Sequence, residues 1–179
     1  MNQHALSTTT RLLHWLVGLT MLSLITIGFY MVNLEAWALY PTHKALGVLA
    51  LLLILPRAIH RVRQGFPKPV ADMSVTMQKL SHSAHWLLLL GTLFMPISGM
   101  LYSGFGGYGI DIFGLTLVHE NIVNDEVVAI NEHIFIVAKN AHSLIGYALS
   151  ALIVAHIGAA VKHHVIDKDA TLNRMLGKL

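Results

Sequence analysis

The sequence contains no cysteine. That excludes disulfides, thiolate-held metals, iron–sulfur clusters and covalent attachment of haem through a C-x-x-C-H motif. Charge is scarce as well. Only 12% of the 179 residues are Asp, Glu, Lys or Arg, about half of the roughly 25% found in soluble domains. A hydrophobic fraction of 55% and a mean hydropathy of +0.62 point instead to a membrane protein. The pI near 9.3 does not imply nucleic acid, because the basic residues stand at the ends of apolar segments, where membrane topology accounts for them.

Four apolar segments are long enough to span a bilayer: about Leu12 to Val32, His43 to His60, His82 to Tyr102 and Ala138 to Val161. The fold class is therefore an all-α membrane protein, a bundle of four transmembrane helices forming one domain over residues 1–179. The first segment is too long for a signal peptide, and no A-x-A cleavage site follows it. Pro56 and Pro96 fall inside spans and are expected to kink them or shorten their ends. The first connection is short. The second, "RVRQGFPKPVADMSVTMQK", is basic and proline-rich. The third, about Ser103 to Val137, opens on "SGFGGYG", turns acidic, and is expected to hold a short surface helix.

Lysine and arginine orient the bundle. Arg11, Arg57, Arg61, Arg63, Lys68, Lys79, Lys162, Lys168, Arg174 and Lys178 collect on one side, and only Lys44 and Lys139 on the other. Both termini and the middle loop are thus predicted to be cytoplasmic. On the outer side two lysines stand against Glu35, Asp111, Glu120, Asp125, Glu126 and Glu132, a formal charge of −4.

With cysteine absent, the twelve histidines are the main ligand resource. His142 and His156 bracket "HSLIGYALSALIVAH", a run without charge. Fourteen residues of helix rise about 21 Å and turn about 1400°, within roughly 40° of four whole turns. The two rings therefore share a face, one near each membrane surface. His14 lies at the inner end of the first span and His43 at the outer end of the second. Depth alone then gives two pairs, His14 with His156 and His43 with His142, both using the fourth helix as a wall.

His14, His43 and His142 are each followed four residues later by glycine, at Gly18, Gly47 and Gly146; His156 is followed by Ala160. Residues four apart lie on one helix face, so these glycines leave a flat slot beside the imidazole, as a porphyrin ligated through its iron requires. A single membrane histidine commonly serves as an interhelical hydrogen-bond partner, and a single glycine as a packing residue. Four positions matched in depth with one repeated spacing fit two six-coordinate b-type haems better than a proton relay or a zinc site. His60 faces about 100° away from His43 and is expected at the interface. His119 and His133 are expected on the outer surface, and His4 in a disordered end. His82 and His85 open the third span at the depth where His163 and His164 close the fourth.

The segments "LLHWLVG" (12–18), "THKALG" (42–47), "HSAHWLLLL" (82–90), "FGLTLV" (113–118), "HSLIGY" (142–147), "AHIGAAVKHH" (155–164) and "KDATLNRML" (168–176) together resemble the bacterial cytochrome b561 family, small four-helix di-haem cytochromes of the inner membrane. The resemblance covers nearly the whole chain. It implies two non-covalent b haems ligated by His14/His156 and His43/His142, and electron exchange with ubiquinone. Some members oxidise superoxide and pass the electron to quinone; the −4 outer face would slow that anion's approach unless Lys44 and Lys139 offset it. Arg11, Arg57 and Arg61 are candidates for haem propionates, since guanidinium pairs well with carboxylate. His85 and His163 are candidates for a quinone site past the inner haem edge, where an imidazole can donate a hydrogen bond and pass a proton. A second reading is a haem-bearing anchor and relay subunit of a larger periplasmic enzyme, as in hydrogenases and formate dehydrogenases, with the acidic outer loop as docking surface. A third is a haem-free transporter or proton channel.

Overall fold

A computed structural model describes residues 5–67, 69–70 and 73–178. His4 and Lys68 lie outside the described residues. Four long helices dominate: α1 (Thr8–Asn33), α2 (Tyr40–Gln64), α3 (Val75–Phe105) and α4 (Glu132–Val165). A 3₁₀ turn, Trp37–Leu39, leads into α2. Each of the four is long and apolar enough to cross a membrane. They also extend past the expected spans, α3 beginning at Val75 and α4 at Glu132. Hydropathy marks only the lipid-immersed part of a helix, whereas hydrogen bonding and capping decide where it begins. Ser7, Ser74 and Asn131 accept from the amides of Thr10, Met77 and Ile134 and start α1, α3 and α4. Each meets the terminal donors that the first helical turn leaves unpaired. Pro56 and Pro96 lie within α2 and α3, which run on past both.

The helices pack mainly as α1 on α2 and α3 on α4, with α2 against α3 joining the two pairs. The buried centre is small: Val17, Met21 and Leu24 from α1, Ala50 and Ile54 from α2, Leu88 from α3 and Leu149 from α4. Most remaining large apolar side chains are exposed, as on Leu19, Leu52, Leu87, Phe94, Leu144 and Val154. In water that surface would drive aggregation; against acyl chains it is the solvated face.

The third connection departs from expectation. No surface helix forms there. Instead β1 (Tyr108–Ile112) pairs antiparallel with β2 (Leu115–Glu120), and β3 (Ile122–Val123) with β4 (Glu126–Val127). Both hairpins turn on two residues with positive φ: Phe113 and Gly114 at 50° and 97°, Asn124 and Asp125 at 52° and 63°. Primed turns of this kind match the right-handed twist of the flanking strands. Asp111 locks the first turn by accepting from the Gly114 amide at 2.7 Å and the Thr116 hydroxyl at 3.1 Å. The hairpin is pinned to the bundle because Lys44 Nζ donates to the carbonyls of Tyr108 (2.8 Å) and Gly109 (3.1 Å), and Ser103 Oγ donates to Gly109 O at 2.7 Å. It therefore caps the end where α1 joins α2, the outer end by the charge rule.

At the opposite end a short helix, α5 (Thr171–Leu176), folds back onto the bundle. Trp15 Nε1 donates to the carbonyl of Met175 at 3.0 Å. Asp169 accepts from the Thr171 amide at 2.8 Å and faces His163 Nδ1 at 2.7 Å. Burial alone would push the Asp169 carboxyl up, but the Thr171 bonds and His163 outweigh it and hold the group below its ordinary value.

Two outcomes follow from these connections. At Gly107, φ is +82° and a Cβ would run into the Val128 carbonyl. Gly107→Ala should therefore destabilise the hairpin segment by roughly 1–3 kcal/mol, read as faster amide exchange over residues 108–128 with the helices unchanged. At Asp169 the depressed folded-state value means the carboxylate stabilises α5 above its unfolded value and the contribution is lost as pH falls through the folded one. Asp169→Asn should loosen α5 by about 1 kcal/mol at neutral pH, about fivefold in amide exchange of residues 171–176, and the difference from wild type should begin to shrink below about pH 4 and be lost as pH falls through the lower folded-state value.

Candidate haem-binding site

The four candidate ligands form two pairs. His14 on α1 and His156 on α4 have ring centroids 6.1 Å apart. His43 on α2 and His142 on α4 are 6.5 Å apart. Metal–imidazole bonds of about 2 Å place the centroids of two trans ligands on one ion about 6 Å apart. All four residues are partly exposed in the protein. The antiparallel course of α1 and α4, and the parallel inward course of α2 and α4, set these depths.

His142 is the most firmly oriented. Its Nδ1 stands 3.0 Å from the Met95 carbonyl and 3.1 Å from Ser98 Oγ. A proton on Nδ1 given to that carbonyl leaves Nε2 as the basic nitrogen, the tautomer a metal needs. Two glycines that sequence spacing did not single out make room for the rings. A Cβ on Gly99 would lie 3.0 Å from His142 Cε1, and one on Gly28 would lie 3.4 Å from His43 Cε1. Both belong to neighbouring helices, so no pattern within one helix could reveal them. Among the glycines at the four-residue offset, a Cβ on Gly18 or Gly47 would meet nothing within 4 Å, whereas one on Gly146 would meet Met95 Cε at 3.4 Å. Open slots thus flank His14 and His43, while Gly146 packs against α3.

Buried polar atoms without partners test whether a haem fits here. Among the described residues these include His43 Nδ1, Arg57 Nη1 and Arg11 Nε. A buried donor with no acceptor costs roughly 1–3 kcal/mol, and propionate carboxylates would relieve the two arginines. Arg57 lies within electrostatic reach of both His14 and His156. Arg61 is engaged differently: Nη1 donates to the Gly65 carbonyl at 2.9 Å, and the guanidinium lies 5.6 Å from the centre of the Phe66 ring. Arg11 Nη2 donates to Thr8 Oγ1 at 3.3 Å, and its guanidinium lies against Gly177. Two imidazole pairs, two open slots and two orphaned guanidinium donors suit haem b. Arg57 and Arg11 would hold the inner propionates, and haem would supply a one-electron iron couple.

The remaining histidines separate by role. His85 stands beside the inner pair, its ring 5.7 Å from that of His156. His163 is instead occupied with Asp169 at 2.7 Å and Asp167 at 3.2 Å. His60 Nε2 meets Thr10 Oγ1 at 2.9 Å. His82 Nε2 accepts from Trp86 Nε1 at 3.0 Å. His119, His133 and His164 are exposed. A cavity of about 480 Å³ lies between the start of α2 and the first hairpin, lined by Pro41, Lys44, Tyr108, Asp111, His119 and Glu120 among others.

The family described as prokaryotic cytochrome b561 matches residues 5–178. The chain is 31% identical over 170 residues to cytochrome b561 homolog 2 of Escherichia coli K12, covering 92% of this chain and 87% of that one. It is 28% identical to the probable superoxide oxidase CybB of Yersinia pestis, with 93% and 92% covered. It is also 28% identical to cytochrome b561 homolog 1 of Escherichia coli K12, with 95% and 96% covered. Four membrane-crossing helices, the paired imidazoles and a match over almost its entire length establish that the chain belongs to the prokaryotic cytochrome b561 family, multi-pass inner-membrane electron-transfer proteins that bind haem b.

Proposed function

We propose that this chain holds two haem b groups and moves electrons between a reaction at its periplasmic face and membrane ubiquinone. The observation that carries the reading is the pair of imidazole couples, 6.1 Å and 6.5 Å across, sharing α4. In it His14 and His156 would hold the cytoplasmic-side haem and His43 and His142 the periplasmic-side haem. Each haem held in this way would supply a one-electron iron couple, and the imidazoles would orient it within the bundle. Gly18 and Gly47 admit the rings, Gly28 and Gly99 seat His43 and His142, and Arg57, Arg11 and Arg61 supply positive charge at the cytoplasmic end. Quinone belongs at that same end, near His85 and His163, where an imidazole can donate to a carbonyl oxygen at a depth reachable from lipid.

Superoxide is a candidate electron donor at the periplasmic face, since one relative bears the name probable superoxide oxidase. Lys44, which lines the outer cavity, supports an anion there; Asp111 and Glu120 in the same cavity oppose it. The alternative, a relay subunit for a larger periplasmic oxidoreductase, draws on the hairpins. They present exposed Val123, Val127 and Val128 with exposed Glu120 and Glu126 on a surface well fixed to the bundle. Co-purification of a periplasmic partner would favour this alternative, and autonomous quinone reduction by the isolated chain would favour the first reading.

Haem extraction from protein made under haem-replete conditions should give about two per chain, with bis-imidazole redox spectra; a value near one would remove the di-haem reading. His14→Ala and His156→Ala should each lose the same haem, and His43→Ala and His142→Ala the other. Difference spectra of the four variants check the pairing, and an identical loss from His14→Ala and His43→Ala would overturn it.

A further inference from the structure

The segment "FGLTLV" (113–118) takes no part in the candidate haem site. It forms the tip and most of the second strand of the first hairpin. Residues 112–118 carry no charge, on an outer face that is otherwise acidic. Phe113 is 68% exposed and Leu115 63%, and Leu117 is exposed beside them. Leu115 and Leu117 share one face of β2, because strand side chains alternate. The other face, with Thr116 and Val118, lines the cavity shared with Pro41 and Lys44 of α2. The nearest carboxylate, Asp111, is turned inward, both its oxygens taken by the Gly114 amide and the Thr116 hydroxyl. The second hairpin is built the other way, with Asn124 and Asp125 at its tip and exposed Glu126 beside them.

We propose that the first hairpin is a membrane anchor: its Phe113 tip and the face of Leu115 and Leu117 rest in the headgroup region of the outer leaflet. The root of the hairpin stands among the residues that mark that depth. Tyr108 packs on Tyr102 at 6.2 Å and on Phe135 at 6.1 Å, and the rings of Trp37 and Tyr40 lie 5.4 Å apart where α2 begins. Tyr and Trp collect at membrane interfaces, where an apolar ring and a polar tip are both satisfied. Lys44, one helical turn past Tyr40, ties Tyr108 and Gly109 to this level. From Tyr108 the strand reaches about 17 Å to Phe113. It passes over the start of α2, since Pro41 and Lys44 share the cavity with Ile110 and Asp111. On this placement the tip continues the lipid-facing apolar surface of the bundle. An element lying in the interface needs an apolar face and a backbone whose polar groups are met. Here Ile112 pairs with Leu115 across the turn, and headgroup depth keeps the turn itself hydrated. A surface for docking a soluble protein would leave its carboxylate free to pair, whereas that of Asp111 is used within the turn. A tip held in lipid fixes the hairpin wall of the outer cavity at the membrane surface.

The test uses the full chain, haem-loaded, in liposomes of phosphatidylethanolamine and phosphatidylglycerol. The chain has no cysteine, so Phe113→Cys, Leu115→Cys and Glu126→Cys each take a single nitroxide label. Power saturation compares the access of oxygen, which concentrates in lipid, with that of a nickel chelate confined to water. The oxygen-to-nickel ratio at positions 113 and 115 should exceed that at position 126 at least threefold. Ratios equal to that at 126 would put the tip in water and overturn the anchor. Exclusion of both reagents from 113 and 115, with immobilised spectra, would also overturn it, in favour of a second copy or a docked protein. Adding Phe113→Glu to Leu115→Cys should bring the ratio at 115 down to the value at 126 with the haem spectrum unchanged. An unchanged ratio in that double variant would overturn the role given to the tip.

Discussion

The structure depends on a single constraint, the need of α4 to carry two imidazoles through an apolar medium on one face. Polar side chains inside a membrane are costly unless something nearby satisfies them. His142 and His156 stand fourteen residues apart, so each needs company at its own depth. The bundle brings His43 to the first and His14 to the second. Much of the rest serves this arrangement. Gly28 and Gly99 are hollowed out where a Cβ would press on a ring. Met95 and Ser98 hold His142 in one orientation. The side chains buried between the pairs, such as Leu149 and Ile54, keep the helices at a fixed spacing.

The two ends of the bundle solve different problems. At the outer end, a hairpin anchored by Lys44 and Ser103 covers the helix termini with backbone whose hydrogen bonds are made internally. At the inner end stand arginines of α1, α2 and α5, and among the described residues Arg11 and Arg57 each keep a buried donor atom without a partner. A fold assembled only for stability would not retain such donors, because each costs as much as a lost hydrogen bond. They make sense beside a carboxylate-bearing cofactor. The ties of α5, through Trp15–Met175 and His163–Asp169, close the same end over them.

Several elements could not be read from the chain. The hairpins escaped because "SGFGGYG" and the acidic stretch after it suggest irregular structure, and the Phe113–Gly114 turn lacks the Asn-Gly or Asp-Gly signature. The return of α5 depends on contacts made 160 residues apart, Trp15 to Met175. The pairing of His163 escaped for a related reason: helical spacing describes its position relative to His156, while its neighbour Asp169 lies on the chain past the end of that helix. Gly146 had the right spacing and still packs against Met95.

What the sequence by itself determined is whatever depends on period, length and sign of charge: four spans, their orientation, and the depth and face of each histidine along its own helix. These are one-dimensional properties, because an α-helix converts residue number directly into rise and angle. What only the tertiary structure decided is which surfaces meet. Phe66 on His85, Gly99 under His142, Arg57 rather than Arg61 left with an orphaned donor, and Lys44 on the hairpin carbonyls all join separate elements. Such contacts depend on helix rotation and loop path, which are settled by close packing of whole side chains and leave no periodic trace in the chain.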